Sequence, residues 1–446
     1  MTNRQLALKI IRRLRRKRYE ALLAGGCVRD RLLGRRAQDY DVATSARPGE
    51  VERLFPRTLA VGAQFGVIIV REGKAQVEVA TFRADEPYAD GRHPAGVRFT
   101  GAEEDARRRD FTVNALFHDP VARKTIDYVG GLRDLKRKVL RAVGDAEARF
   151  REDHLRMLRA VRFAARLGFH LEPATARAIR RLAPLIRRTS AERVRDELEM
   201  VLVDPSRGRA IELADRLGVL KEILPEVAAM RGCRQGPRVH PEGDVWKHTL
   251  LCLEALRRPG FVLSLATLLH DVGKPATAEY RDGAIHFYGH AKVGARMAAG
   301  VANRLRLSAA EKAELVWLVE HHLDFMHARQ MRPATLKRLF QSPYFGNLVE
   351  LHRADLLGSR APLTDHYYVL RARRKLSAEE VKPRPLVNGH DILRLGLPAG
   401  PAVGRVLRAL YDEQLDGRLT DRRRALARAG DLVREESGSA PAGHSP

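Results

Sequence analysis

Short apolar runs separated by turn signals fill the chain from residue 19 to about residue 140. The run ALLA precedes Gly25-Gly26, and DYDVAT is soon followed by a Pro-Gly pair. In GVIIVREGKAQVEVATF, two stretches rich in β-branched residues flank Gly73-Lys74, which predicts a β-hairpin. The pattern therefore predicts a small domain of strands and helices.

Helical periodicity replaces this alternation from about residue 141. Leu155, Leu158, Val161 and Ala165 recur at spacings of three and four residues, which is typical of one helix face. Later segments are helical by pattern, first rich in histidine and then basic, and the C-terminal ESGSAPAGHSP has a disordered composition. The fold class predicted is α+β, a small mixed sheet with helices followed by all-α parts. The predicted divisions are residues 1–140, 141–235, 236–360, 361–435 and a disordered tail at 436–446.

The charge of the chain indicates the kind of partner it binds. Its 446 residues include 81 basic and 55 acidic side chains, a formal net charge of +26. An excess of this size favours a phosphate-rich partner, and nucleic acid in particular. The dominance of arginine over lysine weakens the argument, because it also accompanies a GC-rich genome. A chain of this length exceeds one compact core, so two to four domains are expected.

Composition disfavours several classes of protein. Cys27, Cys233 and Cys252 lie far apart without a CxxC pair, which excludes a zinc ribbon and a disulfide framework and favours a reducing cytoplasm. No apolar run approaches the roughly 20 residues of a membrane span, so no membrane partner is expected. The basic segment MTNRQLALKIIRRLRRKRYEALLAGG leads into the first predicted strand, and we interpret it as a helix of the mature protein rather than a transit peptide.

Two carboxylates stand two positions apart in Asp39-Tyr40-Asp41. If DYDVA is a strand, both side chains leave the same face. Such a pair repels itself, but it suits Mg²⁺, which prefers hard oxygen donors and bridges to substrate phosphates. A third carboxylate is expected from a neighbouring strand, with Glu78 as the first candidate and Asp110 as its rival. The alternative interpretation is a solvated, Asp-rich turn.

A Gly-Gly turn precedes these acids, between a strand ending at Ala24 and a helix starting near Val28. Glycines let the backbone approach a phosphate, and a helix N-terminus offers N–H groups to an anion. Arg29 can add a charged fork to the same group. Taken alone, however, this pattern is typical of ordinary turns.

Four motifs follow one another across residues 20–170: GGCVRDRLLGRRAQDYD, RRDFTVNAL, DYVGGLRDL and EDHLRMLRAVRF. Together they resemble the motifs of class II CCA-adding enzymes and bacterial poly(A) polymerases, members of the polymerase β nucleotidyltransferase superfamily. The resemblance implies a magnesium-dependent nucleotidyltransferase. It makes residues 1–140 the catalytic domain and residues 141–235 a helical neck that binds RNA and selects the base.

The fourth motif also suits base selection physically. Asp153 and Arg156 are predicted to be i,i+3 neighbours on a helix, and the arginines continue at the same spacing. A carboxylate beside a guanidinium offers acceptors and donors to the edge of a base. The resemblance implies that Asp153 and Arg156 read CTP and ATP in this way. It also implies a set of residues that hold the nucleotide: Gly26, Arg29, Arg109, Arg159 and Arg162. A solvated arginine stripe is the alternative.

A polar stretch, RADEPYADGRHPAGVRFTGAEED at residues 83–105, separates the predicted hairpin from the second motif. Unstructured stretches of this length are usually functional or disordered. In the family, a flexible loop at this place is associated with addition of the terminal A. Its presence argues against an enzyme that adds only the two Cs.

Histidines and aspartates recur within residues 236–360 in the order seen in HD-domain phosphohydrolases. Imidazoles and carboxylates on separate helices can hold one or two divalent metals that activate water. The candidate ligands lie in WKHTL, LLHDVGKP, FYGHAKVGA, VEHHL and LHRADLLG, and they are His248, His270, Asp271, His290, His321, His322 and Asp355. Which of His321 and His322 binds is left open, and Lys274 is a candidate for a phosphate contact. The alternative is an HD fold kept as structure, with its histidines satisfied in the core.

These features favour addition of CCA to the 3′ end of tRNA from CTP and ATP without a template, with release of pyrophosphate. The expected cofactors are Mg²⁺ and a further divalent metal of unknown identity in the HD domain. The expected partners are the tRNA 3′ end, CTP and ATP, with no protein partner implied. The basic helices of residues 361–435 are expected to hold the tRNA, and the cytoplasm is the expected location.

Other functions remain open at this point. The nearest alternative is a poly(A) polymerase, or an enzyme that adds only the final A, because the shared motifs do not separate them. In some relatives the HD domain hydrolyses phosphate esters, which would suit repair of RNA ends. A second alternative therefore makes the HD domain the working phosphohydrolase and the N-terminal domain an RNA-binding module. A purely structural RNA-binding protein is least favoured, because both chemical sites look complete.

Overall fold

The computed structural model describes residues 1–37, 39–60, 65–86, 96–236 and 243–438. The chain divides into two compact units, one of residues 1–231 with 301–307, the other of residues 232–300 with 308–446. The finer division into four domains and a tail stays a prediction.

Eleven strands lie in the described part of the first unit: β1 (Ala21–Ala24), β2 (Asp41–Thr44), β3 (Thr58–Leu59), β4 (Val67–Glu72), β5 (Ala75–Thr81), β6 (Arg83–Asp85), β7 (Val97–Phe99), β8 (Phe117–Asp119), β9 (Lys124–Ile126), β10 (Val139–Leu140) and β11 (His170–Leu171). Seven of them form one sheet in the order β3-β4-β5-β2-β1-β8-β9. Within it β2 and β5 run parallel, and the other neighbours are antiparallel. The mixed sheet predicted from the sequence is confirmed.

The predicted hairpin is formed by β4 and β5, which pair from Val67 with Ala80 to Glu72 with Ala75. Gly73 occupies its turn with φ +61°, a backbone conformation that glycine adopts without strain. Along β5 every second side chain is buried, whereas Gln76 and Glu78 are exposed. The strand therefore packs one face on the core and presents Glu78 on the other.

Twelve α-helices complete the first unit as described: α1 (Asn3–Arg16), α2 (Gly26–Leu32), α3 (Pro48–Leu54), α4 (Ala102–Arg107), α5 (Gly131–Arg137), α6 (Ala146–Glu152), α7 (Leu155–Leu167), α8 (Pro173–Leu182), α9 (Ala191–Leu202), α10 (Arg207–Arg216), α11 (Leu220–Ile223) and α12 (Pro225–Ala228). Short 3₁₀ helices cover Thr112–Asn114 and Ala183–Arg188. A capping box of Thr2 and Gln5 starts α1, whose apolar face is buried.

The stretch at residues 83–105 is more regular than predicted. Strands β6 and β7 pair antiparallel, and α4 follows them directly. Asp105 explains part of this order, because its buried carboxylate accepts hydrogen bonds from Arg108 and Arg109. Residues 87–95, at the centre of the predicted loop, lie outside the described residues.

The second unit is mostly helical, as predicted. From residue 243 onward the described helices are α13 (Val245–Ala255), α14 (Phe261–Leu269), α15 (Lys274–Thr277), α16 (His290–Arg304), α17 (Ala309–His321), α18 (Pro333–Gln341), α19 (Phe345–Gly358), α20 (Thr364–Arg374), α21 (Ala378–Val381), α22 (Gly389–Arg394), α23 (Pro401–Leu415) and α24 (Arg422–Gly438). A small hairpin joins β12 (Glu279–Arg281) to β13 (Ala284–His286), and a 3₁₀ segment covers Asp324–Gln330.

Helices α22, α23 and α24 share an apolar core that includes Ile392, Leu410 and Ala429. Because α24 continues to Gly438, residues 436–438 are helical and the predicted tail begins later; the rest of that tail lies outside the described residues. Among the described helices, none combines the length and apolar character that crossing a bilayer requires.

Candidate functional site

The acidic residues of the first motif meet a third acid across two parallel strands. Asp41 opens β2 and is the register partner of Glu78 on β5, so both side chains leave the same face of the sheet. Asp39 was expected on the same strand as Asp41, but the strand begins only at Asp41. Asp39 therefore belongs to the preceding connection, where it is exposed.

Charge repulsion among these acids is visible in Asp41. Burial raises its pKa to about 6, and the negative charges of Glu78 and Asp39 add to this effect against the opposing charge of Arg109. A divalent cation would relieve this repulsion, and carboxylate oxygens are the donors that hard cations prefer. The donor chemistry therefore fits a divalent metal held by Asp41 and Glu78, with Asp39 beside them.

Asp110, the rival third acid, has other partners. Its Oδ2 accepts a hydrogen bond of 2.7 Å from Arg159, and its Oδ1 accepts one of 3.1 Å from Asn114. Burial acts to raise the pKa of Asp110, but the guanidinium of Arg159 outweighs it and the pKa is lowered. The charge of Asp110 is thus compensated within the protein, whereas Glu78 stands in register with Asp41 on the neighbouring strand.

The glycine that this site requires is Gly25, the residue before the predicted Gly26. Gly25 has φ +69° and ψ −130°, whereas Gly26 is the first residue of α2. A Cβ at position 25 would lie 3.0 Å from Arg109 Nη1 and 3.9 Å from Asp41 Oδ2. Any side chain there would be strained and would enter the space between the arginine and the acid.

A chain of hydrogen bonds fixes two of the predicted arginines. Arg29 Nη1 donates to Asn114 Oδ1 at 2.6 Å, Asn114 donates to Asp110, and Asp110 accepts from Arg159. The ring of Phe163 lies 5.3 Å from both guanidinium carbons. Arg29 and Arg159 are thus held in fixed orientations from several sides.

Arg109 is oriented by a buried acid that the sequence did not reveal. Asp105, 1% exposed, accepts hydrogen bonds from Arg109 on Oδ2 and from Arg108 on Oδ1. Arg109 Nη1 also donates to the carbonyl oxygen of Asn114 at 3.2 Å. The two arginines thus diverge from one carboxylate, with Arg109 directed towards Gly25.

The predicted helical pairing of Asp153 with Arg156 is wrong. Asp153 is extended, with φ −147° and ψ 105°, in the break between α6 and α7. Both its oxygens accept hydrogen bonds from Arg193 of α9, at 3.1 and 2.9 Å, while Arg156 pairs with Glu152 at 2.6 Å. The Asp153 carboxylate also accepts a hydrogen bond of 3.1 Å from the N–H of Leu155, the first residue of α7.

Arg162 also differs from its predicted role. It is 6% exposed, its Nε donates to Glu197 at 2.5 Å, and its guanidinium lies over the ring of Phe163. Like the predicted Asp39 and Glu78, Arg162 is not among the described residues that line the cleft at this site. Arg162 therefore supports the cleft wall from behind rather than facing a ligand.

An open cleft of about 460 Å³ lies in the first unit. The predicted residues that it brings together are Gly26, Arg29, Asp41, Arg109, Asp110, Asp153, Arg156 and Arg159. The lining residues that sequence reasoning missed are Arg108, Asn114, Leu155, Phe163 and Arg193, while Gly25 was noted only as part of the Gly-Gly turn. Arg108, Asn114, Leu155 and Phe163 lie inside the quoted motifs and could have been chosen, but Arg193 has no local signal.

The histidine centre is assembled inside the second unit. Asp271 lies at its middle, with Oδ2 3.3 Å from His270 Nε2 and Oδ1 3.4 Å from His290 Nε2. On one side His248 Nε2 lies 2.9 Å from Asp355 Oδ1, and on the other His322 lies near His290. Asp271 thus links two groups of potential metal ligands, each with its ligand atoms within 4.8 Å of one another.

The imidazoles are oriented as metal ligands usually are. The Nδ1 atoms of His270, His290 and His322 lie 2.7–2.8 Å from backbone carbonyl oxygens, to which each donates. This arrangement points the Nε2 atoms towards Asp271, as in metal sites where a hydrogen bond to the other ring nitrogen fixes the orientation of the imidazole. The residues therefore fit one or two divalent metals.

The structure answers one open question about this centre and corrects one prediction. His322 joins the centre, whereas His321 lies outside it, hydrogen-bonded to Asp324 at 2.7 Å and packed on Trp317. Lys274 is 6% exposed and pairs with Asp271 at 2.7 Å, so it neutralises the central carboxylate instead of offering a free charge to a phosphate. Burial acts to raise the pKa of Asp271, but Lys274 and His270 hold it well below its usual value.

Three protein families match successive parts of the chain. The poly A polymerase head domain matches residues 21–141, the probable RNA and SrmB-binding site of polymerase A matches residues 168–231, and the HD domain matches residues 245–362. Fold and cleft together define a nucleotidyltransferase that carries an HD domain.

Curated relatives point to a narrower group. The CCA-adding enzyme of Geobacillus kaustophilus is 38% identical over 91% of this chain and 91% of its own length. The A-adding tRNA nucleotidyltransferase of Deinococcus radiodurans is 37% identical over 94% of this chain and 97% of its own. The match to the CCA-adding enzyme of Geobacillus stearothermophilus is 47% identical but spans only 50% of this chain and 55% of that enzyme.

Solved structures agree with these relatives. The crystal structure of the Bacillus stearothermophilus CCA-adding enzyme in complex with CTP superimposes with a TM-score of 0.73 at 29% identity, covering 98% of this chain and 99% of that one. The chain belongs to the tRNA nucleotidyltransferase and poly(A) polymerase family that includes the CCA-adding enzymes.

Proposed function

We propose that the chain adds CCA to the 3′ end of tRNA from CTP and ATP, releasing pyrophosphate. The observation that carries the proposal is the cleft, which is lined by Asp41, by Asp153 and Arg156, and by arginines held by buried partners. The full-length similarity to a CCA-adding enzyme supports it. Within this proposal, residues 1–140 are catalytic, 141–235 select the base, 236–360 form the HD domain and 361–435 hold the tRNA.

In the proposed reaction, the 3′-hydroxyl of tRNA attacks the α-phosphate of the incoming nucleotide. Mg²⁺ held by Asp39, Asp41 and Glu78 would lower the charge on the reacting phosphate and assist the leaving pyrophosphate. Arg29, Arg109 and Arg159 are suited to the triphosphate, because their guanidinium groups are held by buried partners before a nucleotide arrives. Positioning and charge stabilisation then supply most of the rate.

Base selection is assigned to Asp153 and Arg156. Arg193 holds the Asp153 carboxylate and Glu152 holds the Arg156 guanidinium, so the donors and acceptors of this edge are oriented without a nucleic acid template. A carboxylate accepts about four hydrogen bonds and a guanidinium donates five, so this pair of groups suits the mixed donors and acceptors on the edge of a base.

A second candidate is addition of the terminal A alone. It is favoured by the A-adding relative, which matches at 37% identity over nearly its whole length, against 38% for the CCA-adding relative. The two identities are too close to decide between the activities. The choice rests on whether the edge at Asp153 accepts cytosine, which the shared residues leave open.

Extension of defined tRNA ends separates these activities. Purified protein is incubated with Mg²⁺ and a tRNA lacking CCA, or one ending in CC, with CTP and ATP singly and together. Two additions with CTP alone and a stop at three with both nucleotides support CCA addition. A single A added only to the tRNA ending in CC means the A-adding activity, and a ladder of As means a poly(A) polymerase.

A matched pair of variants ties any activity to the cleft. Asp39→Ala with Asp41→Ala should abolish extension, because the metal ligands are lost. Glu52→Ala, an exposed acid on α3, should leave it unchanged. Extension by the double variant at the wild-type rate would contradict the proposed role of these acids.

The proposal has a second part, in which the HD domain hydrolyses phosphate esters at RNA ends. We place both activities in a reducing cytoplasm. The two ligand groups joined by Asp271 favour this hydrolysis, since paired divalent metals activate water for such reactions. An RNA ending in a 2′,3′-cyclic phosphate, incubated with Mn²⁺ or Ni²⁺, should be opened by the wild type. Asp271→Asn should not open it, whereas Asp282→Asn, on an exposed turn, should. Equal rates for both variants would reject hydrolysis at this centre.

A further inference from the structure

A cysteine lies inside the histidine centre at a position that the HD motif does not explain. Cys252 follows His248 by four residues on α13, so the two side chains share one face of the helix. Its Sγ lies 3.4 Å from His248 Nε2. The ligand atoms of His248, Cys252, His270 and Asp355 all lie within 4.8 Å of one another.

The position of this thiol is set by a close contact between two helices. A Cβ at Gly358 of α19 would lie 2.5 Å from Cys252 Sγ and 3.3 Å from the Cys252 backbone nitrogen. Glycine therefore lets α19 approach α13 at this point. One turn earlier on α19, Asp355 reaches His248 at 2.9 Å, so the same contact delivers the thiol and the carboxylate to the centre.

We propose that Cys252 is a metal ligand together with His248, His270 and Asp355, and that this position takes a borderline-soft divalent cation such as Zn²⁺ rather than Mg²⁺. Thiolate and imidazole donors favour zinc and cobalt, whereas magnesium selects oxygen donors. The second group, Asp271 with His290 and His322, has only nitrogen and oxygen donors and does not share this preference.

Two of the ligand separations already suit a four-coordinate ion, whereas Asp355 lies 2.9 Å from His248 and 4.0 Å from His270 and would shift on binding. With bonds of about 2.0–2.3 Å to nitrogen, oxygen and sulfur, the ligands of a tetrahedral zinc ion lie about 3.3–3.7 Å apart. His248 Nε2 is 3.4 Å from Cys252 Sγ and 3.4 Å from His270 Nε2. The His248–Asp355 pair, at 2.9 Å, is close enough to share a proton, which a bound cation would replace.

Cobalt provides a direct test, because Co²⁺ occupies zinc sites and a Co–thiolate bond gives a sulfur-to-metal absorption band in the near ultraviolet. Metal-free full-length protein titrated with Co²⁺ should develop this band. The Cys252→Ser variant should lose it and should bind Zn²⁺ at least about tenfold more weakly, since even an outer-shell change costs that much. No band in the wild type, or a band that survives Cys252→Ser, would overturn the proposal.

The other two cysteines supply the matched control. Cys27 lies in the first unit and Cys233 is only partly buried, so the Cys27→Ser, Cys233→Ser double variant leaves Cys252 as the one thiol in the chain. It should keep the cobalt band, and loss of the band would refute the assignment.

If Cys252→Ser fails to fold, zinc X-ray absorption on this double variant decides instead. A sulfur shell near about 2.3 Å supports the proposal, and nitrogen and oxygen alone refute it. These readouts are independent of nucleotide addition.

Discussion

The carboxylate of Asp41 destabilises the folded first unit at neutral pH when no cation compensates it, so removing its charge should stabilise the fold. Burial, with Glu78 and Asp39, raises its pKa from 3.8 to about 6. At about 1.36 kcal/mol per pKa unit, this shift corresponds to roughly 3 kcal/mol at pH 7. Because the side chain is partly exposed, solvent screening makes that value an upper bound, and we expect Asp41→Asn to gain about 1–3 kcal/mol.

The pH dependence has a definite sign. Between pH 3.8 and about 6 the folded state binds more protons at Asp41 than the unfolded state, so stability falls as pH rises through this window. The gain from Asp41→Asn should therefore be full at pH 7.5 and small near pH 4. Mg²⁺ should stabilise the wild type at pH 7.5 and have a much smaller effect on the variant, which has lost the charge that the cation compensates.

The two units can be followed separately. Both tryptophans of the chain, Trp246 and Trp317, lie in the second unit, so their fluorescence reports its unfolding and circular dichroism reports both. In urea with EDTA, Asp41→Asn should shift the dichroism transition of the first unit and leave the fluorescence transition in place. Glu52→Gln, an exposed acid, should shift neither. A variant no more stable than the wild type at pH 7.5 would refute the reasoning.

Three further predictions concern substitutions at single positions. Arg193→Ala should lower kcat/KM for nucleotide addition about 10- to 100-fold by releasing Asp153, with partial recovery in Arg193→Lys, as measured by steady-state extension. Gly25→Ala should destabilise the first unit by about 1–3 kcal/mol in urea unfolding and block addition, because its φ is +69° and Arg109 is close. Burial lowers the pKa of His352 to about 4, so the free energy of unfolding of the second unit should fall as the pH drops from 6.5 to 4. His352→Leu should remove up to about 3 kcal/mol of that fall, as measured by tryptophan fluorescence in urea.

Local patterns in the sequence predicted the parts of the site that depend on local geometry. The β-branched runs gave the hairpin of β4 and β5, and with it the strand that carries Glu78. Parallel pairing of β5 with β2 then brings Glu78 beside Asp41. This pairing depends on the order of strands in the sheet, so the sequence pattern identifies Glu78 only as a candidate. Histidines on successive helices likewise indicated a metal centre, because each motif lies within one helix or helix end.

The choice between His321 and His322 shows where such patterns fail. The two residues are adjacent at the end of α17, and a helix turns about 100° per residue, so only one can face the interior. Which one does depends on how α17 packs against α14 and on where Asp271 lies. His322 is 1% exposed and meets the centre, while His321 meets Asp324 at the surface. The spacing of residues along the chain therefore does not predict which of the two histidines faces the centre.

The fourth motif is not one continuous helix, because Asp153 is extended before α7 begins. Arg193 and Glu197 lie four residues apart on α9, hence on one face. Arg193 forms an ion pair with Asp153 before α7 begins, and Glu197 forms one with Arg162 within α7. In the first pair α9 supplies the cation, and in the second it supplies the anion. A single helix outside the four motifs thus holds both Asp153 and Arg162 of the fourth motif. Its partners are 35 and 40 residues away in sequence, so spacing within the motif predicted a continuous helix, whereas the long-range ion pairs stabilise the break that orients Asp153.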